Sequence, residues 1–101
     1  MKPEFESYGE GGAALRCPCC GSIYLRHEVV EVFERSEDAE IGWHVTVKER
    51  EVMADTNLSG NPSTRRHGLL VHFSCEGCEA ISTLSLGQHK GITYIELNLK
   101  E

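Results

Sequence analysis

Two cysteine motifs decide how this chain folds: Cys17-Pro18-Cys19-Cys20-Gly21 near its start and Cys75-Glu76-Gly77-Cys78 after more than half of its length. Each motif contains a Cys-x-x-Cys pair. Two such pairs can direct four sulfurs at one tetrahedral metal ion, because each short turn aims both thiols the same way. Pro18 fixes one backbone dihedral and Gly21 permits a positive φ, as this turn requires. Gly77 precedes its second cysteine, which predicts a different turn there.

The length and cysteine count of the chain suit a small domain that a bound metal ion stabilises. With 101 residues the chain forms one domain, and at this size a hydrophobic core gives limited stability on its own. Its five cysteines are an odd number, and residues 1–12 lack the basic start and apolar stretch of a signal peptide. A disulfide framework, secretion and a membrane span are therefore disfavoured. Reduced metal-binding thiols predict a cytoplasmic protein.

The two motifs resemble those of zinc ribbons, in which cysteine turns on adjacent β-hairpins grip one structural zinc. The resemblance covers Cys17 to Gly21 and Cys75 to Cys78, and the segment between them is longer than in minimal ribbons. It implies that Cys17, Cys20, Cys75 and Cys78 bind one Zn²⁺ per chain. Four protein ligands close a zinc site, whereas a catalytic zinc keeps one position for water. This implies a structural metal and no catalytic residues.

A second resemblance is to small zinc-ribbon proteins of bacteriophages and prophages. It rests on the second cysteine motif followed by Leu86-Gly87-Gln88-His89-Lys90-Gly91-Ile92-Thr93. It implies an accessory or regulatory role, such as binding a host machine, and it names no activity.

Three alternatives concern the metal site itself. A rubredoxin-like iron centre also uses paired cysteine turns, although the second motif here lacks both the proline and the following glycine. Cys19 could compete as a ligand or act as a redox-sensitive thiol, but we expect it to be a spare residue of the turn, so that Cys19→Ser keeps the metal. His72 could replace a cysteine, but its strand context favours an ordinary position on one sheet face.

The rest of the sequence predicts an all-β chain of antiparallel hairpins. Residues 1–14 have no sustained period and predict a flexible lead-in, while residues 15–101 form the domain. Strand-like segments are Ser22 to Arg35, Trp43 to Val47, Gly68 to Ser74, Ala80 to Leu86 and Ile92 to Leu99. Residues 50–67 are rich in turn formers and predict a long mobile loop. A short helix over Glu49 to Ala54 is an alternative at its start.

The net charge of −6 bears on the partners of the protein. We expect a protein partner, bound through one of two surfaces or both. One surface is the acidic first hairpin, with Glu31, Glu34, Glu37 and Asp38; the other is the second hairpin's tip, with Gln88, His89 and Lys90. A solvated, protective hairpin and an ordinary solvent turn are the simpler interpretations of these segments. The oligomeric state is not readable from the sequence.

Nucleic-acid binding is the main alternative function, since zinc ribbons commonly perform it. Arg65 and Arg66 could form a basic patch, and Trp43, Phe73 or Tyr94 could stack on bases if exposed. The acidic balance disfavours this function, because phosphate neutralisation drives such binding. An enzyme is the weakest hypothesis: the five histidines have no recognisable nucleophile or cofactor loop beside them.

Overall fold

Six antiparallel strands form one sheet, and a separate two-stranded hairpin precedes it. The computed structural model describes residues 1–7 and 9–100. The small hairpin pairs β1 with β2 across a 3-10 turn at Gly9–Gly11, and the large sheet has the order β5-β4-β3-β6-β7-β8. The strands are β1 Phe5–Ser7, β2 Ala13–Leu15, β3 Leu25–Glu34, β4 Trp43–Lys48, β5 Glu51–Asp55, β6 Gly68–Cys75, β7 Ile81–His89 and β8 Ile92–Leu99. The prediction of an all-β, antiparallel chain is confirmed for the described residues.

The β3–β6 pair is the centre of the sheet and joins its two halves. Both strands are rich in β-branched and large apolar residues, which favour extended backbone. Their register runs from Leu25 opposite Cys75 to Phe33 opposite Gly68, with one bulge between His27 and Val29. The described part of the chain contains no helix long and apolar enough to cross a membrane.

Alternation along the strands gives the sheet two chemically different faces. We call the face that carries Glu31, Phe33, His44 and His72 the polar face. The opposite face, the apolar face, carries two rows of aliphatic side chains that run across all six strands. These rows are Val52, Val47, Val30, Val71, Leu84 and Leu97, and Ala54, Val45, Val32, Leu69, Leu86 and Ile95.

The segment before the first cysteine motif is more structured than the sequence predicted. In place of a flexible lead-in, Phe5 pairs with Leu15 in the β1–β2 hairpin. The Arg16 guanidinium donates to Glu6 Oε1 at 2.8 Å and to the Gly21 carbonyl oxygen at 3.0 Å. These bonds tie the hairpin to the first cysteine turn. Strands of three residues are too short to show a period in sequence, which explains why the sequence did not indicate β1 and β2.

The predicted loop over residues 50–67 is shorter than expected, because its first part is strand β5. The turn into β5 consists of Glu49 and Arg50, which have φ of 52° and 69°. Two consecutive positive φ values are typical of the tightest hairpin turns, where glycine or asparagine usually stands. The residue types therefore concealed the turn. The short helix considered at Glu49 to Ala54 is not present.

The irregular segment that remains, residues 56–67, is anchored to the polar face at the end of the sheet far from the cysteines. The Ser63 hydroxyl donates to the Gln88 carbonyl oxygen at 2.6 Å and accepts N–H bonds from Arg65 and Arg66. Gly87 allows this close approach, since a Cβ there would lie 3.2 Å from the Pro62 carbonyl oxygen. Phe33, at 1% exposure, is buried beneath the segment.

We predict that Phe33→Ala lowers the free energy of unfolding by about 3–5 kcal/mol, because it leaves a cavity among few buried side chains. Phe5→Ala is the matched control, since Phe5 is 57% exposed on β1 and its loss should cost less than about 1 kcal/mol. Urea unfolding followed by circular dichroism measures both. Equal losses in the two variants would contradict a core centred on Phe33.

Candidate metal centre and a polar network across the sheet

The four cysteines of the Cys-x-x-Cys pairs meet at one end of the large sheet. The first motif lies in the connection from β2 to β3, and the second forms the turn from β6 to β7. Because β3 and β6 are antiparallel neighbours with Leu25 opposite Cys75, the start of β3 and the end of β6 coincide. This places Cys17, Cys20, Cys75 and Cys78 together, with all four sulfurs within 4.8 Å of one another.

The sulfur positions fit a tetrahedral metal ion. Cys17 Sγ lies 3.7 Å from Cys78 Sγ, and Cys20 Sγ lies 3.6 Å from Cys75 Sγ. Metal–sulfur bonds of about 2.3 Å in a tetrahedron separate the sulfurs by about 3.8 Å. All five cysteines are free, and these sulfur–sulfur distances are far longer than the roughly 2.05 Å of a disulfide bond. The cluster could therefore hold one metal ion with an all-thiolate donor set.

The two cysteine turns have the same backbone hydrogen bonds, contrary to the prediction of different turns. In the first motif the Cys17 N–H donates to the Ser22 carbonyl oxygen, and the Gly21 N–H donates to that of Cys17. In the second motif the Cys75 N–H donates to Ala80, and the Glu79 N–H donates to Cys75, at the same offsets. Glu79 occupies the position of Gly21, and the two residues have φ of 63° and 80°.

Backbone N–H groups prepare the sulfurs for negative charge. The N–H of Cys19 faces Cys17 Sγ at 3.4 Å, and that of Gly77 faces Cys75 Sγ at 3.3 Å. The backbone N–H of Cys78 is the main cause that lowers the pKa of the Cys75 thiol to about 6, assisted by the N–H of Gly77. Such N–H···S bonds stabilise a thiolate over a thiol.

The pKa of a second thiol in the cluster, that of Cys78, is shifted in the opposite direction. The backbone N–H of Ala80 lowers the pKa of Cys78, but burial and the neighbouring cysteine side chains outweigh it and raise the pKa to about 12. Thiolates this close repel one another, so they cannot all ionise without a compensating cation. The chemistry of the donor set therefore suits a bound metal ion.

Cys19 lies beside this cluster without belonging to it. Its thiol is exposed, and its backbone N–H, rather than its sulfur, points at the cluster by contacting Cys17 Sγ. His72 is not among the clustered ligands either; it lies on the polar face and contacts a carboxylate.

That carboxylate, Glu31, is the centre of a network that the sequence did not reveal. Glu31 Oε1 lies 2.8 Å from His44 Nε2, and Oε2 lies 2.6 Å from His72 Nε2. The other ring nitrogens reach further strands: His44 Nδ1 is 2.9 Å from Asp55 Oδ1, and His72 Nδ1 is 3.0 Å from Thr83 Oγ1. The chain of contacts crosses five adjacent strands, from β5 to β7.

The contacts within this network shift the pKa values of His44 and Glu31. Burial alone would lower the pKa of His44, but its contacts with Glu31 and Asp55 raise it above its ordinary value. Burial would likewise raise the pKa of Glu31, and the contacts with His72 and His44 lower it instead. A doubly protonated His44 donates one N–H to each flanking carboxylate. Its ring also stacks on Phe33, with centroids 4.4 Å apart.

The network changes the interpretation of the predicted acidic surface. Glu31 is only 21% exposed at its side chain and faces the histidines, and Asp38 makes a bidentate pair with the Arg65 guanidinium at 2.6 and 2.7 Å. Glu34 and Glu37 remain exposed. Two of the four predicted acidic residues, Glu31 and Asp38, thus make contacts within the protein. Arg65 of the predicted basic patch does the same, because its guanidinium pairs with Asp38.

The other predicted binding residues lie at the same end of the sheet, opposite the cysteines. Gln88 is part of β7, where its amide donates to Thr93 Oγ1 at 2.8 Å. His89 ends β7 beside Tyr94, and Lys90 is exposed in the two-residue turn to β8. Arg66 is half-buried and donates its backbone N–H to Ser63. Of the predicted tip, Lys90 alone is exposed.

Comparisons with known proteins give no assignment: no family model matches the chain, and no curated protein or solved structure matches it significantly. The site must therefore be interpreted from its own geometry.

Glu79 gives a first test of the paired turns. We expect Glu79→Gly to raise the free energy of unfolding of the metal-loaded protein by about 1 kcal/mol, because it removes the cost of a left-handed non-glycine residue. The reciprocal change Gly21→Glu should lower it by a similar amount. Urea unfolding of both variants measures this pair of effects, and shifts of the same sign would show that the two turns are not equivalent.

The polar network gives a pH dependence. Because the folded pKa of His44 is raised, its stabilising contribution is fully present below about pH 6.5 and disappears as pH rises through the folded pKa. The lowered pKa values of Glu31 and Asp55 act oppositely: their contribution is present above about pH 4.5 and disappears as pH falls through their folded pKa values.

The metal-bound thiolates make stability rise with pH in every variant, so the effect of the network lies in the difference between slopes. Between pH 6 and pH 8.5 we expect the slope of the free energy of unfolding against pH to be less positive in the wild type than in His44→Gln, because the contribution of His44 is lost over this range. Urea unfolding of the metal-loaded proteins at several pH values measures this slope. His27→Gln is the control, since His27 is exposed and outside the network, and should keep the wild-type slope. An unchanged slope in His44→Gln would disprove the assignment.

Proposed function

We propose that this protein is a non-enzymatic zinc-binding module with a structural metal and a protein-interaction role. The observation that carries the proposal is the closed set of four clustered sulfurs at the junction of the β1–β2 hairpin and the large sheet. Cys17, Cys20, Cys75 and Cys78 would hold Zn²⁺, which supplies a redox-inert cross-link between two distant parts of the chain. Iron in a rubredoxin-like centre is the competing metal.

Two features support zinc in a structural role. The cluster is built into the fold, since Cys17 and Cys75 are each only 3% exposed and two backbone hydrogen bonds hold each of the turns around them. The second turn lacks the proline and glycine of rubredoxin-type motifs. A cytoplasmic or similarly reducing compartment suits five free thiols.

A binding role is supported by the surface rather than by any catalytic arrangement. His44 and His72 each contact Glu31 through a ring nitrogen. These contacts join neighbouring strands of the sheet and do not form a catalytic arrangement. Large apolar side chains are exposed instead, among them Trp43 at 57%, Val52 at 70% and Ile95 at 53%. Such exposure is typical of surfaces that bind another protein. An accessory role of the phage type would be one use of such a module.

The acidic end of the sheet is a second contact region in this proposal. Glu34, Glu37 and Lys90 are exposed there, on the tips opposite the metal centre. We see no comparable support for nucleic-acid binding, because the Arg65 guanidinium is already paired with Asp38.

The metal gives the decisive test. We expect protein purified without added metal to contain about one zinc per chain, and a chelator to remove both zinc and β structure. Cys75→Ser should lose the metal. Cys19→Ser is its matched control and should retain it, because the Cys19 thiol lies outside the cluster. Elemental analysis and circular dichroism measure these outcomes. Iron with visible absorption, or loss of metal in Cys19→Ser, would contradict the proposal.

A further inference from the structure

The apolar face of the large sheet has the size and composition of an interface. Its two rows contain twelve aliphatic side chains, two on each of six strands. Leu97 alone among them is fully buried. Val47, Val52 and Ile95 are 41%, 70% and 53% exposed, and Trp43 extends the face at the end far from the cysteines.

The whole chain exposes more surface than a monomer of its mass. Its accessible surface is 6996 Å². A monomeric protein of 11.3 kDa is expected to expose about 5,700 Å². The Cα radius of gyration is 14.5 Å, against about 12.7 Å for a compact domain of this length. The excess of about 1,300 Å² exceeds the roughly 800 Å² that each partner buries in a standard stable interface.

The chemistry of the face indicates which partner covers it. No charged side chain belongs to either row, so the centres of two facing sheets bring no like charges together, despite the net charge of −6. On this face the exposed Glu34 lies opposite Trp43, with its Oε2 3.8 Å from His67 Nδ1, beyond the rows at the end far from the cysteines. The charges of the network, Glu31, His44 and Asp55, lie on the opposite face. Interfaces of permanent homodimers are more apolar than those of transient partners, which bind through more polar surfaces.

We propose that two copies of this chain pack their apolar faces against each other as a two-sheet sandwich. Sheets packed in this way lie about 10 Å apart and interdigitate their side chains. The proposed function requires a protein partner, and this inference identifies that partner as a second copy of the chain. To that extent the inference rests on the proposed function. It does not depend on which metal the cysteines hold.

The test compares two double variants of the full chain. In V47K/I95K, two lysines replace side chains of the apolar face on β4 and β8. In M53K/Y94K, two lysines replace Met53 and Tyr94, which lie on the polar side of β5 and β8 and are 55% and 56% exposed. Both variants add two positive charges and remove two exposed large side chains. The control therefore matches the test variant in charge and in exposure lost.

Sedimentation equilibrium gives the mass and the dimer dissociation constant for each protein. We expect the wild type and M53K/Y94K to have twice the chain mass of 11.3 kDa. V47K/I95K should be monomeric, with a dissociation constant raised at least 100-fold, and should keep its metal content and circular dichroism spectrum. A monomeric wild type at high micromolar concentration would overturn the proposal, and so would equal dissociation constants in the two variants. Normal metal content with a monomeric wild type would overturn the dimer while leaving the zinc proposal intact.

Discussion

Four sulfurs within 4.8 Å of one another impose the constraint on which the rest of this structure depends. They can meet only if the start of β3 and the end of β6 lie side by side, and this fixes the central antiparallel pair with Leu25 opposite Cys75. The three-stranded meanders β3–β4–β5 and β6–β7–β8 then form the two halves of the sheet, one on either side of this pair. Closing so long a segment is entropically costly, so an ion that binds the closed form contributes directly to folding.

The cysteines act at one end of the sheet, and two other sets of contacts hold the remainder. The Glu31 network joins five strands across the middle of the polar face. Ser63 and Phe33 fix the far end, where the segment 56–67 covers the sheet. Register follows from this arrangement, because a slip by one residue would move Glu31 onto the apolar face and His44 away from both of its carboxylates.

The sequence predicted the parts of the fold that have short-range signals. Cysteine spacing identified the cluster, and alternation identified β3, β4, β6, β7 and β8. It missed β5 because Glu49 and Arg50 form a tight turn without the residue types that usually mark one. It missed the network because Asp55, Glu31, His44 and His72 are far apart in sequence and become neighbours only through strand pairing. For the same reason, Asp38 and Arg65 appeared to belong to two separate surfaces.

The two faces of the large sheet differ in how far other parts of the chain cover them. This difference is the strongest argument for the proposed dimer. An antiparallel sheet normally turns its apolar face inward and its polar face to water. Here the segment 56–67 covers part of the polar face, while of the twelve residues in the aliphatic rows only Leu97 is buried, seven are half-buried and four are exposed. The polar face is stabilised by its own hydrogen bonds and can remain in contact with water. The apolar face has no such internal solution, because aliphatic side chains gain free energy only by leaving water. A second copy supplies that cover with the same twelve side chains, and the charges of the Glu31 network stay on the outer faces of the sandwich.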